Sequence, residues 1–240
     1  MTTLLAGTRT TEKPQETFGV NVPAEEFAAV SAANFIPDDR TFNSFAPVLV
    51  NTGAELVLFD TGLAGDGITA ALAAAGITPD QIDVVVLTHM HGDHIGGMMT
   101  GEAPTFANAR YVTGATEHNN WSMAANEGFD AKVKPLNDKF TFLDDGGAVL
   151  PGITAMAAPG HTPGHVVFHS PEAQRAFVGD VLFAGSIGRT DFPQGNHDDL
   201  IASITERLWP MGNDTVFIPG HGPESTFGRE RQSNPYVGGT

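Results

Sequence analysis

The chain has 240 residues, 41% of them hydrophobic, which is enough to bury one sizeable core. Its 28 acidic residues against 12 basic ones give a net charge of -16 and exclude a polynucleotide partner, because phosphates are bound by clustered lysine and arginine. There is no cysteine, so disulfides, thiolate nucleophiles, iron-sulfur clusters and sulfur-held zinc are excluded and any metal must sit on histidine and carboxylate.

Residues 1–43 are polar, weakly periodic and broken by Pro14, Pro23 and Pro37, which predicts an arm or cover; the main domain is expected over 44–240. Ala46 to Val50 and Leu56 to Phe59 flank Asn51-Thr52-Gly53, a hairpin signal. An alanine-rich helix through Ile68, Leu72 and Ala75 stops at Gly76, and Thr78-Pro79-Asp80-Gln81 has the spacing of a capping box. Strands are expected over 83–88, 106–113 and 152–158, with a helix over 114–127 carrying Trp121. Val166 to Phe168 and Arg175 to Val178 make a second hairpin around Pro171-Glu172. Asn196 caps a helix over 197–208 whose Leu200, Ile201, Ile204 and Leu208 share one face, and the last strand is 215–218. Hairpins at the start of each half with helices between later strands predict two mixed sheets faced by helices.

No apolar run approaches the roughly 20 residues a membrane span needs, and no basic residue precedes the brief apolar stretch at the N-terminus. The expectation is a cytoplasmic protein acting on a small molecule, with no membrane or nucleic-acid partner.

The strongest chemical signal is Thr88-His89-Met90-His91-Gly92-Asp93-His94-Ile95-Gly96-Gly97 after the apolar strand. In an extended segment alternate side chains share a face, so His89 and His91 converge on one ion while the turn at Gly92 sends Asp93 and His94 toward another. Pro159-Gly160-His161-Thr162-Pro163-Gly164-His165, Gly179-Asp180 and Pro219-Gly220-His221-Gly222-Pro223 each put a ligand-type side chain at a strand end. Singly each is an ordinary turn; together they complete two coordination spheres.

These residues resemble the metallo-β-lactamase superfamily, whose HxHxDH motif is met by His89, His91, Asp93 and His94, with His161, Asp180 and His221 as its later ligands. The resemblance implies an α/β fold, the αβ/βα sandwich, and a site at one edge of two mixed sheets. It implies two Zn²⁺, with iron or manganese as alternatives: one ion on His89, His91 and His161, the other on Asp93, His94 and His221, with Asp180 bridging. Asp60 corresponds to an acid that orients the metal loop without being a ligand, and His165 to a support of the His161 turn. His118, His169 and His197 carry no motif and read as surface or packing residues.

Zinc with a bound hydroxide attacks a carbonyl or phosphoryl centre, and Asp93 and Asp180 are the catalytic carboxylates the resemblance implies. The front part, including 34–37, 49–53 and 59–62, is similar to methyl parathion hydrolase and lactonase-like members; the back part, 179–193 and 218–223, is similar to short glyoxalase II-like hydrolases. The chain ends before the helical region that holds glutathione in full-length glyoxalase II, which leaves Arg189 as the basic candidate at the site or as a partner of Asp191. Trp121 and Phe129 are candidates for an apolar substrate wall or for core. The expected activity is dinuclear zinc-dependent hydrolysis of a thioester, ester or lactone. The alternatives are a phosphotriesterase and an iron-dependent persulfide dioxygenase, whose family shares the Gly188 to Phe192 pattern. A β-lactamase is disfavoured because one class needs a cysteine ligand and another lacks the acid seen as Asp180.

Overall fold

A computed structural model describes residues 1–239. The chain divides into two units, Met1–Gly7 with Phe45–Thr240, and Thr8–Ser44.

The larger unit is built on two six-stranded sheets. The first runs in order β1 (Thr2–Thr3), β2 (Val48–Asn51), β3 (Leu56–Phe59), β4 (Val84–Val86), β5 (Arg110–Gly114) and β6 (Phe140–Leu143). The second runs β7 (Ala148–Leu150), β8 (Ile153–Ala157), β9 (Val166–Ser170), β10 (Arg175–Gly179), β11 (Val216–Pro219) and β12 (Ser225–Thr226). Both are mixed: β2 and β3 form the expected hairpin and β3 to β6 run parallel, while β7 to β10 are antiparallel before β10 pairs parallel with β11.

Side-chain alternation along the strands explains the layering. Val57, Phe59, Val84, Val86 and Val112 face the second sheet and meet Val166, Phe168, Phe177 and Ile218 there, whereas Leu58, Val85 and Tyr111 face outward onto helices. The Phe59 and Phe177 rings stack at 3.8 Å between centroids across the inter-sheet core. On the far face of the second sheet, Val167, Ala176, Val178 and Phe217 pack on Leu200, Ile204, Leu208, Trp209 and Phe227. The result is the expected order of helix, sheet, sheet, helix.

Some boundaries differ from expectation. Thr2 and Thr3, expected in the arm, pair with Val48 and Leu49 in the first sheet. The strand expected from 106 starts at Arg110, because Phe106 is fully buried and Ala109 closes a turn on its carbonyl. The helix expected over 114–127 is split into Ala115–Met123 and Glu127–Lys132, the second capped by the Asn126 side chain. The helix capped by Asn196 spans His197–Ala202 and continues as a π-wound turn, Ser203–Leu208.

The smaller unit holds helices Gln15–Phe18 and Ala24–Ala33 and all but the end residues, Gly7 and Phe45, of a two-stranded ribbon of Gly7–Glu12 with Arg40–Phe45. Among the described residues, no helix is long and apolar enough to cross a membrane.

Candidate metal centre

The C-terminal ends of the central strands gather the ligand-type side chains. After β4 the chain passes through His89 to His91, whose backbone is extended, and a helical turn, Gly92–Ile95, begins at Gly92. His161 follows β8, Asp180 follows β10 and His221 follows β11. This chain geometry brings seven side chains into overlapping groups that could each hold a metal ion: a first, His89, His91 and His161; a second, Asp93, His94 and His221; and, linking the two, His89, His94 and Asp180. Within each group the donor atoms lie within 4.8 Å of one another.

In the first group His91 Nδ1 and His161 Nε2 are 2.9 Å apart. His161 Nδ1 is 2.8 Å from the Arg189 carbonyl, which can only accept, so Nδ1 carries the proton and Nε2 presents its lone pair. Burial, reinforced by neighbouring imidazoles, drives His89 well below its usual pKa and His91 down to about 4. Burial also lowers His161. Three neutral imidazoles converging on one point are the donor set of a borderline metal.

The second group is organised by acids. His221 Nε2 lies 3.1 Å from Asp93 Oδ2 and 3.4 Å from Asp180 Oδ2. His94 Nε2 is 3.4 Å from Asp180 Oδ1, and Asp180 Oδ2 is 3.8 Å from His161 Nε2. One carboxylate therefore faces both groups. Burial disfavours charge on His94 and His221, but the carboxylates of Asp60 and Asp180 outweigh it on His94, which is held well above the usual value. On His221, Asp180 and Asp93 do the same and push it up to about 10. Burial would raise Asp180 and Asp93, yet the adjacent imidazoles hold both below the usual carboxylate range.

The residues fit a metal pair. His89 Nε2 is buried with no hydrogen-bond partner, and the buried His94 Nε2 and Asp180 Oδ1 meet only in a long 3.4 Å contact with each other; all belong to the ligand-type groups. Orphaned acceptors and donors inside a protein cost free energy unless something binds them. The carboxylates are balanced by protons on imidazoles, and a bound cation takes over that balance.

Asp60 holds this arrangement from behind. Its Oδ1 accepts the Thr88 N–H at 2.9 Å, and its Oδ2 lies 2.8 Å from the Thr88 hydroxyl and 2.9 Å from His94 Nδ1. It does so from a left-handed backbone at φ 58°. His165 Nε2 accepts the Asp180 N–H at 3.2 Å, and its ring stacks on His89 at 4.8 Å. Gly220 allows the His221 loop to close on the site: a Cβ there would stand 2.5 Å from Asp180 Oδ1 and 2.6 Å from His94 Cε1.

The substrate candidates divide. Trp121 stands edge-on to His91 at 5.5 Å. Phe129 is a correction: it is 2% exposed and packs in the first core with its ring 5.4 Å from His118, so it lines no surface. The Arg189 guanidinium makes a two-pronged ion pair with Asp191, at 2.7 and 2.6 Å, and lies over the Phe192 ring at 4.4 Å. Its side chain is engaged at the protein surface, while its carbonyl orients His161.

Sequence reasoning passed over three residues here. Phe192 lies 4.7 Å from His91, Phe45 packs edge-on to His221 at 5.3 Å, and Glu117 is a fully buried carboxylate beside the metal loop. The aromatic at 192 sits within a quoted motif and was legible as a neighbour of the site; the other two carry no local signal.

Residues 46–221 match the family model of the metallo-beta-lactamase superfamily. The chain belongs to that superfamily. Hydroxyacylglutathione hydrolase GloC of Haemophilus influenzae is 36% identical over 165 residues, covering 65% of this chain and 76% of that protein. TTHA1623, solved in a di-iron-bound form, matches with a TM-score of 0.65 and 31% identity over 80% of this chain and 95% of its own. AidC, a dizinc quorum-quenching lactonase, shares the fold with a TM-score of 0.74 at 23% identity, over 92% and 86% of the two chains. Membership and these relatives make the chain a metal-dependent hydrolase of the superfamily.

Proposed function

We propose that this hydrolase is a dinuclear zinc enzyme that cleaves a thioester, ester or lactone. The observation that carries the reading is Asp180, whose two oxygens face His94 on one side and His161 and His221 on the other. A carboxylate so placed suits a bridge, with His89, His91 and His161 as ligands of one ion and Asp93, His94 and His221 as ligands of its neighbour. Zinc held there would polarise a carbonyl oxygen and lower the pKa of coordinated water.

The chain's own groups supply the rest. Asp93 is the more exposed of the two site carboxylates, at 28% of its side chain, and takes up or delivers a proton at Oδ2. Trp121 and Phe192 flank His91 and form an apolar wall where an acyl chain excludes water. The hydroxyacylglutathione hydrolase relative supports the thioester, and the motifs of the front half support the ester and lactone.

Zinc-loaded protein should hydrolyse at least one member of a panel of activated thioesters, lactones and esters, at equal rates in air and under argon. Turnover confined to phosphotriesters would replace the acyl substrate by a phosphoryl one. Oxygen consumption with a persulfide, dependent on iron and lost on zinc substitution, would overturn the hydrolytic reading.

A further inference from the structure

Glu117 is 0% exposed and stands outside the ligand groups, yet its partners Met90, Thr162 and Gly164 all lie in the segments that build the first of them. Its Oε1 accepts the N–H of Met90, the residue between His89 and His91, at 3.0 Å. The same oxygen accepts the indole N–H of Trp121 at 2.8 Å, one helical turn along Ala115–Met123. Its Oε2 accepts the hydroxyl of Thr162, the neighbour of His161, at 2.8 Å, and the Gly164 N–H also donates to the carboxylate. The approach is tight, since a Cβ at Gly164 would strike the Glu117 backbone nitrogen.

We infer that Glu117 is a positioning residue that ties the His89–His91 segment to the His161 turn and so sets the spacing of one metal's ligands, an assignment that rests on the two-metal reading above. Three of its partners, the N–H groups of Met90, Trp121 and Gly164, can only donate. Only a carboxylate offers acceptors to all of them. Glutamine keeps the shape but turns an NH₂ toward one of these donors, which separates the role of the charge from that of volume. The second group, Asp93, His94 and His221, has its own fastening through Asp60 and receives nothing from Glu117. Loss of the Glu117 carboxylate therefore weakens one metal and spares the other.

The test is zinc affinity by competition with a chromophoric chelator for Glu117→Gln in three backgrounds: wild type, His221→Ala and His89→Ala. In wild type, two ions bind; Glu117→Gln weakens one of them about 10- to 100-fold and leaves the other unchanged. In the His221→Ala background, which disables the second group, the remaining ion is weakened by the same factor. In the His89→Ala background it is not. For the loaded enzyme kcat falls while KM changes by less than about twofold.

Trp121→Phe and Thr162→Val each remove one donor and keep the carboxylate, so each gives a smaller weakening of the same ion even where Glu117→Gln fails to fold. Equal weakening in both backgrounds, or wild-type affinities in folded Glu117→Gln, overturns the assignment and leaves the two-metal reading intact. A wild-type protein that binds a single ion overturns the two-metal reading and this assignment with it.

Discussion

His94 is held by Asp60 through a 2.9 Å contact at Nδ1, which leaves Nε2 directed at Asp180. A buried carboxylate behind a ligating imidazole fixes its tautomer and raises its basicity. Asp60→Asn should weaken one metal ion about 10- to 100-fold, because the amide cannot accept from Thr88 and His94 together. Asparagine tolerates the left-handed backbone at φ 58°, so the loss should appear in chelator competition without a comparable fall in the melting temperature of the metal-free protein.

Asp180 faces both ligand groups and has few protein partners beyond them. Asp180→Ala should reduce retained metal below two ions per chain and lower kcat by about two orders of magnitude or more, with the circular dichroism spectrum unchanged. Full activity with both metals present would remove Asp180 from the bridging position.

Gly220 has no room for a methyl group between Asp180 and His94. Gly220→Ala should force the carboxylate or the imidazole aside and cost at least about tenfold in kcat, while the strands on either side remain paired. Unchanged kinetics would mean that the His221 loop shifts as a body.

Asp145 anchors the turn before β7. Slight burial opposes its charge, but the Ala157 N–H and the Arg207 guanidinium, at 2.8 and 2.6 Å, hold the carboxyl below the usual range. A pKa depressed in the folded state adds stability above the unfolded-state value, and that stability is lost as pH falls through the folded value. Half of the Asp145 side chain is exposed, so the ion pair is screened and worth no more than about 1 kcal/mol. Asp145→Asn should therefore lower the melting temperature by about 2–4 °C at pH 7. The gap to wild type should begin to narrow near the unfolded-state pKa of about 4 and close only as pH falls through the lower folded value; a gap that does not narrow at all below about pH 4 would show that charge is not its cause.

Much of the fold was legible because its signals are local. Alternation through Leu56-Val57-Leu58-Phe59 assigns one set to each face of the sheet, and the structure puts Val57 and Phe59 between the sheets. The ligand constellation was legible because all seven of its positions lie in short glycine-punctuated segments that follow strand ends. Glu117 was not, since its partners Met90 and Thr162 are 27 and 45 residues away and its helix reads as polar surface. Phe129 was open between substrate wall and core because nothing local separates the two; the His118 ring and the first core close over it and decide for core. Thr2 and Thr3 are polar, and only the exposed edge of β2 gives them a strand to join.

If the seven side chains hold two ions as proposed, metal content is where it shows first. Protein purified from zinc-supplemented medium and dialysed against buffer should carry close to two zinc ions per chain by elemental analysis, because the donors exceed the four that one tetrahedral ion uses. A stoichiometry of one that added zinc does not raise would mean that the seven donors hold a single ion.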